Sequence, residues 1–534
     1  MQLRRLAGVL VALSLVAFCP SARADVSVST VGELVAAVTN QPPGTTITLA
    51  AGVYELAAPL RLKSGMSLIG AGVGQTVVQN AATFAFLPAQ WYGDDTNFEF
   101  SFPDRYLVNL GRDQADLTLR GMTLTGPGVH GAVYFVACAN VTLTELEFRD
   151  FQWSAVRGYV GTNFTITNNR FTDAGGQSVN PDGSFGSTGG SVFLTYLSNS
   201  LIENNRFGRS GTRLDNVYGI KGREFRSNRV AYNTIRCGFA IELPFENDFY
   251  VDIENNYLDG AVSIPRYAGG VLPPTGNDPY TFRFRNNYFT ESYSIEGPHN
   301  GLIVESNVFD FPANDDGGNL VSSFDPYSQT PLAPGPITFR NNIVINPGRG
   351  IFWSDVVCNN LTFANNHIFA NESIPSQFPE GLFSFRGYSP AQGGQATNFA
   401  SISIANNIVE ILGTPRALIR YNDAYAANLS NNLLANVSDR AVVPNTRSGA
   451  LRGLQSLLAF NVGVQGEFSV NGQVLLIRAG ANPAIAYDGN DDLYRYATSP
   501  ADLNGDGLVS TADGSLAEGN VRRGEVQGMA VHRP

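Results

Sequence analysis

The sequence predicts an all-β protein: a right-handed parallel β-helix of about a dozen coils, with an N-terminal cap helix and a short C-terminal calcium-loop segment. Two observations carry this prediction. The first is a short phrase, Asn-x-apolar, usually preceded by another asparagine, which recurs through the middle of the 534-residue chain; the second is the alternation of apolar and polar residues within each phrase. Alternation with period two indicates strands with one buried face, and so small a unit buries that face only by stacking on copies of itself.

The repeated phrase is clearest in the middle of the chain, where successive asparagines lie 20 to 41 residues apart. Asparagine tolerates the left-handed backbone of a tight turn, and stacked asparagines bond to one another along an axis. We expect one such asparagine in each coil, at Asn169, Asn205, Asn228, Asn256, Asn287, Asn307, Asn342, Asn366, Asn407 and Asn432.

The first residues indicate export. Arg4 and Arg5 precede an apolar run over residues 6–18, and a small-x-small pattern at 22–24 resembles a cleavage site. This is the layout of a secretory signal, so we expect a secreted or periplasmic protein. The alternative, a membrane anchor, is disfavoured because the run is too short to span a bilayer comfortably.

Five segments follow from these patterns, and a short cap helix is expected over residues 31–38 of the second. The segments are a signal peptide at 1–24, an N-terminal cap with the first coils at 25–76, a catalytic β-helix at 77–440, a C-terminal β extension at 441–495, and a dockerin-like single calcium loop at 496–534.

The charge of the chain excludes two classes of partner. Asp and Glu number 46 against 35 Lys and Arg, which gives a net charge of −11. Nucleic acids and anionic membrane surfaces both draw their binding energy from Lys and Arg, so neither is expected as a partner. We expect a monomer.

One segment reverses this charge. Residues 206–236 hold seven arginines and Lys221 against Asp215 and Glu224, a local net charge of +6. A positive patch on a negative body indicates an anionic ligand, and an anionic polysaccharide is the expected partner.

Lys221 is unusual within this patch because the chain has only one other lysine, Lys63, beside 33 arginines. Arginine keeps its proton, whereas lysine can lose one when it is desolvated or close to other cations. A lowered pKa would make Lys221 a base. The alternative is an ordinary ion pair between Lys221 and Glu242, worth about 0–1 kcal/mol.

The expected register brings other polar residues to the same place. If Ile220 stacks on Ile241 and Val262, then Lys221, Glu242 and Ser263 form one outward line. Adjacent coils are about 4.8 Å apart, so such side chains touch.

Elimination on a uronate polymer fits these residue types, because it needs a base for the C5 proton, a cation for the carboxylate and an acid for the leaving oxygen. Lys221 is the expected base, Arg266 or Arg223 the cation, and Tyr218, Tyr267 or Tyr196 the acid. The expected substrate-binding residues are Tyr196, Arg223, Glu242, Glu246, Asn247 and His299. His299 has the alternative of being an ordinary turn histidine.

Three blocks carry a family resemblance: Gly219-Ile220-Lys221-Gly222-Arg223, Ile241 to Asp248, and Val262 to Arg266. They resemble β-helical polysaccharide lyases of the alginate-lyase type, polysaccharide lyase family 31 in particular. The resemblance covers roughly residues 30–440. It implies alginate or a related polyuronate as the substrate, with a lysine-based or tyrosine-based elimination.

Two alternatives remain open for the function. A uronate C5-epimerase of the mannuronan type shares the fold and the proton abstraction but returns a proton to the other face of the sugar. A non-catalytic polysaccharide-binding or adhesive β-helix would bind the polymer and leave it uncut.

The C-terminal segment predicts a structural calcium site. Asp502, Asn504, Asp506 and Asp513 place side-chain oxygens at positions 1, 3, 5 and 12 of a loop, with Gly507 at position 6. Calcium prefers such an oxygen cage. The loop resembles one half of a dockerin repeat. The alternative is an acidic turn without an ion.

Overall fold

The structure is a computed structural model of the 534-residue chain. It describes residues 25–84, 105–179, 185–208, 218–223, 225–242, 251–260, 262–263, 282–289, 295–296, 301–311, 319–323, 336–354, 360–370, 381–385, 402–405, 407–411, 419–421, 427–430, 433–435, 442–443, 467–470, 473–476, 485–487, 494–496 and 508–509.

Parallel strands form three stacks that run side by side, and successive coils contribute strands to them. Two long strands, Ala115–Thr125 and Gly131–Arg149, pass from one stack to another within a coil. The first stack also contains Asp25–Val28, Thr46–Leu49, Ser67–Ile69, Thr165–Thr167, Leu201–Glu203, Asn228–Ala231, Val251–Glu254, Phe282–Arg285, Leu302–Glu305, Ile337–Arg340, Leu361–Ala364, Ile402–Ala405 and Ala427–Ser430.

The second stack follows the asparagine turn. Its separate strands are Gly52–Leu56, Thr76–Asn80, Arg170–Thr172, Arg206–Gly208, Thr234–Ile235, Tyr257–Leu258, Tyr288–Phe289, Val308–Asp310, Ile343–Ile345, His367–Ala370, Ile408–Ile411 and Leu433–Ala435.

The third stack is the one that carries the candidate site. Its strands are Leu60–Arg61, Tyr106–Arg112, the start of Gly131–Arg149, Val156–Thr162, Gly190–Ser198, Tyr218–Arg223, Gly238–Glu242 and Val262–Ser263. A further parallel set consists of Ile295–Glu296, Asn319–Ser323, Gly350–Ser354, Phe383–Phe385, Ile419–Tyr421 and Val442–Val443.

Antiparallel pairing occurs outside these stacks. Gln177–Val179 pairs with Phe185–Thr188, and Glu467–Val470 pairs with Gln473–Leu476. The strand Tyr494–Tyr496 pairs with both Ile485–Tyr487 and Leu508–Val509.

A helix, Val31–Asn40, lies beside the first strands. Thr30 caps it by accepting a hydrogen bond from the Glu33 backbone, and the Glu33 carboxylate accepts one from Thr30 in return. This reciprocal arrangement satisfies amides that the first helical turn leaves without partners. Leu34 and Val38 bury the apolar face of the helix.

The two asparagines of a phrase have different roles in the turn. The first adopts the left-handed backbone, as at Asn168 and Asn204, with φ of 56° and 55°. The second is buried, and its amide donates to the side-chain oxygen of its counterpart in the next coil, at 3.0 Å from Asn169 to Asn205. The ladder comprises Asn169, Asn205, Asn233, Asn256, Asn287, Asn307, Asn342, Asn366 and Asn407.

One expected ladder member is wrong. Asn228 lies at the other end of its strand, where it accepts a hydrogen bond from the Ser200 backbone and donates to Leu197. Asn233 takes its place in the ladder, after Tyr232 with φ of 55°. The phrase around Asn233 lacks a paired asparagine, which concealed it in the sequence. Asn432 lies outside the described residues.

The core runs along the inside of the coils. Inward residues repeat from coil to coil, and Phe148, Phe171 and Phe207 stack with ring centroids 4.6 Å apart. Such rows bury the apolar face that no single coil could bury, as the periodicity predicts.

The outer face of the first stack carries a ladder of ion pairs. Arg229 contacts both Glu203 and Glu254, Arg285 also contacts Glu254, and Arg340 contacts Glu305. We call the residues Glu203, Arg229, Glu254, Arg285, Glu305 and Arg340 the ion-pair ladder.

Candidate functional site

An outward-facing row of the third stack is aromatic and cationic. The residues that precede it in the strands, such as Val156 and Ile220, belong to the core. Successive side chains of a strand point to opposite faces, so this row faces away from the core. We call it the cationic row, and in coil order it comprises Tyr134, Arg157, Phe193, Lys221, Ala240 and Ser263. The neighbouring row comprises Val136, Tyr159, Thr195, Arg223 and Glu242.

The expected register is wrong at Glu242 and right at Ser263. Lys221 lies opposite Ala240, and Ala240 lies opposite Ser263, whereas Glu242 lies opposite Arg223. Ile220 lies opposite Phe239, two residues before the predicted partner Ile241, and the register also shifts by one residue between Tyr218 and Ile220. Because the side-chain period of a strand is two residues, a displacement of two keeps the same side chains facing inward, and the apolar alternation does not distinguish the two registers.

Arg157 forms the base of the cationic row. It is only 2% exposed, and its guanidinium lies between two rings, with Cζ 3.9 Å from the Phe193 centroid and 4.1 Å from the Tyr159 centroid. Its amino groups donate to the Phe193 carbonyl at 3.1 Å, to Thr195 Oγ1 at 3.3 Å and to the Tyr159 hydroxyl. All these partners are neutral. Within the part of the chain that the structure describes, no carboxylate compensates this charge.

Phe193 separates Arg157 from Lys221. The Lys221 Nζ lies 4.8 Å from the Phe193 centroid, and the Arg223 Cζ lies 5.8 Å from it. Because the strand of Phe193 pairs with the strands of both Arg157 and Lys221, its ring lies between the two cations. One aromatic ring therefore has three cations around it.

Tyr218 adjoins Lys221, whose Nζ lies 5.7 Å from the Tyr218 ring centroid. The coils on both sides of Tyr218 place glycine opposite it, at Gly190 and Gly238. A Cβ at Gly190 would lie 3.0 Å from the Lys221 Cβ and 3.2 Å from the Tyr218 carbonyl oxygen. The absence of that side chain makes the close approach of the coils at Lys221 possible.

Tyr196 lies at an exposed edge beside this site. It follows Thr195 directly, is 38% exposed and has a left-handed φ of 58°. Val160 occupies the equivalent place one coil earlier, with φ of 55° and 48% exposure. Left-handed backbone is uncommon for a β-branched residue. Val160 and Tyr196 are therefore exposed positions that directly follow Tyr159 and Thr195 of the neighbouring row.

Sequence reasoning missed Arg157, Phe193 and Tyr159. They precede Lys221 by one or two coils, and loops of different length separate those coils. The alternation within the strands Val156–Thr162 and Gly190–Ser198 would have identified their outward faces, but not their partners.

A second buried polar cluster flanks the row. The Arg105 Nη1 lies 2.9 Å from the His130 Nε2, and burial together with Arg105 lowers the pKa of His130 to about 3. Burial raises the pKa of Tyr106 well above its usual value, against the opposing charge of Arg157. His130 is therefore neutral at physiological pH and acts as a hydrogen-bond acceptor from Arg105.

The remaining predicted site residues are not tested by the structure. The strand of Glu242 is described but its side chain is not. Outside the described residues lie Arg266, Tyr267, Glu246, Asn247, His299, Asp502, Asn504, Asp506 and Asp513. Among the side chains that are described, no group of His, Cys, Asp and Glu forms a candidate metal site.

Comparison with known proteins defines the class of fold. The family described as "Right handed beta helix region" matches residues 107–289, which include Arg157, Phe193 and Lys221. Together with the parallel stacks, this match shows a right-handed parallel β-helix. No curated protein matches the chain. In the described ranges, no helix is long and apolar enough to cross a membrane.

Several solved structures are similar in fold at low identity. An alginate lyase from Paenibacillus sp. str. FPU-7 is 12% identical, with a TM-score of 0.38, over 64% of this chain and 98% of that chain. The catalytic domain of a GH87 α-1,3-glucanase in complex with nigerose is 14% identical, with a TM-score of 0.37, over 80% and 69%. The Streptococcus pneumoniae surface protein and adhesin PfbA is 13% identical, with a TM-score of 0.36, over 78% and 94%.

Proposed function

We propose that this protein is a polysaccharide lyase that cleaves an acidic uronate polymer by β-elimination at the cationic row. The observation that carries the proposal is the grouping of Arg157, Lys221 and Arg223 around Phe193. Polysaccharides made of uronates present a carboxylate on every sugar. A regular polymer of negative charge is the ligand that such a concentration of cations on an acidic chain would attract.

The chemistry of elimination matches the groups beside Phe193. The neutral amine of Lys221 takes the proton from C5 of the uronate, and Arg223 neutralises the adjacent carboxylate while negative charge develops on it. The C4–O glycosidic bond then breaks, a double bond forms between C4 and C5, and the departing oxygen takes a proton from Tyr218. Lys221 ends protonated and Tyr218 ends deprotonated, so one proton transfer between them through solvent restores the enzyme.

Substrate binding extends the site along the rod. Tyr196 offers an exposed ring on which a sugar can stack, and Glu242, opposite Arg223 in the register, accepts hydrogen bonds from sugar hydroxyls. Arg266, Tyr267, Glu246, Asn247 and His299 stay predicted members of the site. The resemblance to lyases of the alginate type makes alginate the first polymer to test.

A screen of polymers tests the proposal. The full chain is incubated with alginate, polymannuronate, polygalacturonate and hyaluronate, and with a neutral glucan as control. We expect ultraviolet absorbance from new unsaturated uronate ends with at least one acidic polymer and none with the glucan. Incorporation of solvent deuterium at C5 without chain cleavage would instead establish an epimerase. Retention of the polymer with neither change would establish a binding or adhesive protein.

We further propose export through residues 1–24 and a structural calcium ion at the C-terminal loop. The oxygen donors of Asp502, Asn504, Asp506 and Asp513 support the ion. Titration of the chelator-treated protein with calcium should show one site that the D506A variant lacks. Equal binding by the variant would contradict this assignment.

A further inference from the structure

Arg157 is a buried cation for which the fold has provided aromatic rings instead of an acid. Taking a charge out of water is costly unless an opposite charge or several hydrogen bonds compensate it. The partners of Arg157 are the Phe193 carbonyl, Thr195, Tyr159 and its own strand at Gly158, all of them neutral, and its Nε has no hydrogen-bond partner. A residue kept in this state contributes something other than stability.

The buried charge of Arg157 affects Lys221, which lies on the other side of Phe193. Phe193 excludes water from the space between the two cations, because its ring contacts the Arg157 guanidinium at 3.9 Å and the Lys221 Nζ at 4.8 Å. Repulsion between like charges is stronger across an apolar ring than across water. The guanidinium also occupies one face of the ring, and so competes for the π electrons that would otherwise attract the ammonium.

Other charged and titratable groups face Lys221 from the described strands. Its own strand supplies Tyr218 and Arg223, and the strand Val156–Thr162 supplies Tyr159 besides Arg157. The strand Gly238–Glu242 places Ala240 opposite Lys221 and Glu242 opposite Arg223. Arg157 and Arg223 both oppose protonation of the lysine, and the register places Glu242 in the neighbouring row, opposite Arg223.

We propose that Arg157 is a positioning residue whose buried charge, acting through Phe193, keeps the Lys221 amine ready to lose its proton. The inference rests on the proposed function for its purpose, because a base must be neutral to act. Its physical content, a coupling between two named side chains, is measurable without any substrate.

The two-lysine composition makes the measurement direct. Lysine labelled with ¹³C at Cε gives one signal from Lys63 and one from Lys221 in the full chain. Lys63 serves as an internal control, because its Nζ bonds the backbone oxygens of Thr39 and Gln41 at 2.7 and 2.8 Å in a remote part of the fold. A Lys221→Arg variant assigns the signals.

Removing the Arg157 charge should raise the titration midpoint of Lys221 by about one pH unit and leave Lys63 unchanged. Two variants test this: R157M keeps the apolar stem, and R157Q keeps a hydrogen-bond donor. Either one suffices if its circular dichroism and its Lys63 signal match those of the unmodified protein. A midpoint that stays within about 0.2 of a unit in a folded variant would overturn the proposal.

A matched control separates local coupling from net charge. R285M removes the same charge from the first stack, where Arg285 contacts Glu254. We expect no shift of Lys221 in R285M, and a shift equal to that of R157M would overturn the inference.

The outcome is independent of the proposed function. If the polymer screen yields no lyase, the titration still decides whether Arg157 acts on Lys221. If it yields a lyase, the acidic limb of its pH–rate profile should move to higher pH in R157M by the same amount as the Lys221 midpoint. An unmoved profile would remove Arg157 from catalysis.

Discussion

Arginines on two outer faces of the β-helix have opposite environments. In the ion-pair ladder of the first stack, carboxylates alternate with arginines along the axis, and Glu254 receives hydrogen bonds from both Arg229 and Arg285. In the cationic row of the third stack, the group between Arg157 and Lys221 is a phenyl ring. The spacing of the coils is the same on both faces, so the difference lies in the residues chosen.

The two faces differ in whether a buried charge has a partner of opposite charge. Burial works against the charged form of Glu254, yet hydrogen bonds and attraction from Arg229 and Arg285 leave its pKa below the usual value, which is the behaviour of a satisfied ion pair. Arg157 has no comparable partner among the described residues. Charge that is paired within the fold stabilises coil stacking, whereas a buried charge without a carboxylate partner changes the electrostatics of the groups around it.

The largest expected effect falls on the cationic row. Lys221→Arg keeps the charge but removes a base that can lose its proton, and lyase turnover should fall by about 10²- to 10⁴-fold. Lys63→Arg, the matched substitution at the other lysine, should leave turnover unchanged. Rates of unsaturated-end formation on the polymer identified by the screen provide the measurement. Equal turnover in the two variants would exclude Lys221 as the base.

The repeat and the ladder of buried asparagines could be predicted from the sequence, because both depend on residues that are close together in the chain. An Asn-Asn pair fixes a turn by itself, as at Asn168 and Asn169, and the same pair recurs in most coils. The failure at Asn228 shows the limit, because Tyr232 there takes the left-handed position and leaves Asn233 without an asparagine before it.

The site could be predicted only in part, because it depends on register. The composition of the chain identifies Lys221, but its neighbours Phe193 and Arg157 belong to earlier coils, which loops of unequal length separate from it. The predicted register also differs from the observed one by two residues, and Glu242 therefore lies opposite Arg223 instead of Lys221. Neither the length of a loop nor a two-residue change of register alters which side chains face inward, so the sequence could not align these rows.

The second prediction addresses the ion-pair ladder. Glu254→Gln leaves Arg229 and Arg285 without their shared carboxylate, and we expect the free energy of unfolding to fall by about 2 kcal/mol. Glu145→Gln provides the control, because the pair Arg120–Glu145 is about half exposed and should lose less than about 0.5 kcal/mol. Denaturant titration of each variant measures the difference. Equal losses would show that the buried carboxylate of Glu254 stabilises the fold no more than the exposed carboxylate of Glu145.

The third prediction tests the exposed edge of the site. Tyr196→Ala should raise KM about fivefold, since it removes roughly 1 kcal/mol of sugar stacking, whereas Tyr196→Phe should retain the KM. If the hydroxyl of Tyr196 is instead the proton donor, Tyr196→Phe should lower kcat at an unchanged KM. Initial rates against polymer concentration distinguish these outcomes. Unchanged values in both variants would remove Tyr196 from the site.

The smallest expected effect is the loss of stability when acid protonates the ion-pair ladder. The pKa of Glu254 in the fold lies below its ordinary value of 4.5, because the hydrogen bonds and charges of Arg229 and Arg285 outweigh the opposing effect of burial. Its contribution to stability is therefore complete above pH 4.5 and is lost as the pH falls through the lower value in the fold. Stability measured across this range should decline less steeply in Glu254→Gln than in the unmodified chain. Removing Arg157 should leave that decline unchanged, since no carboxylate among the described residues titrates against it, and a parallel change in R157M would mean that the two faces are electrostatically coupled.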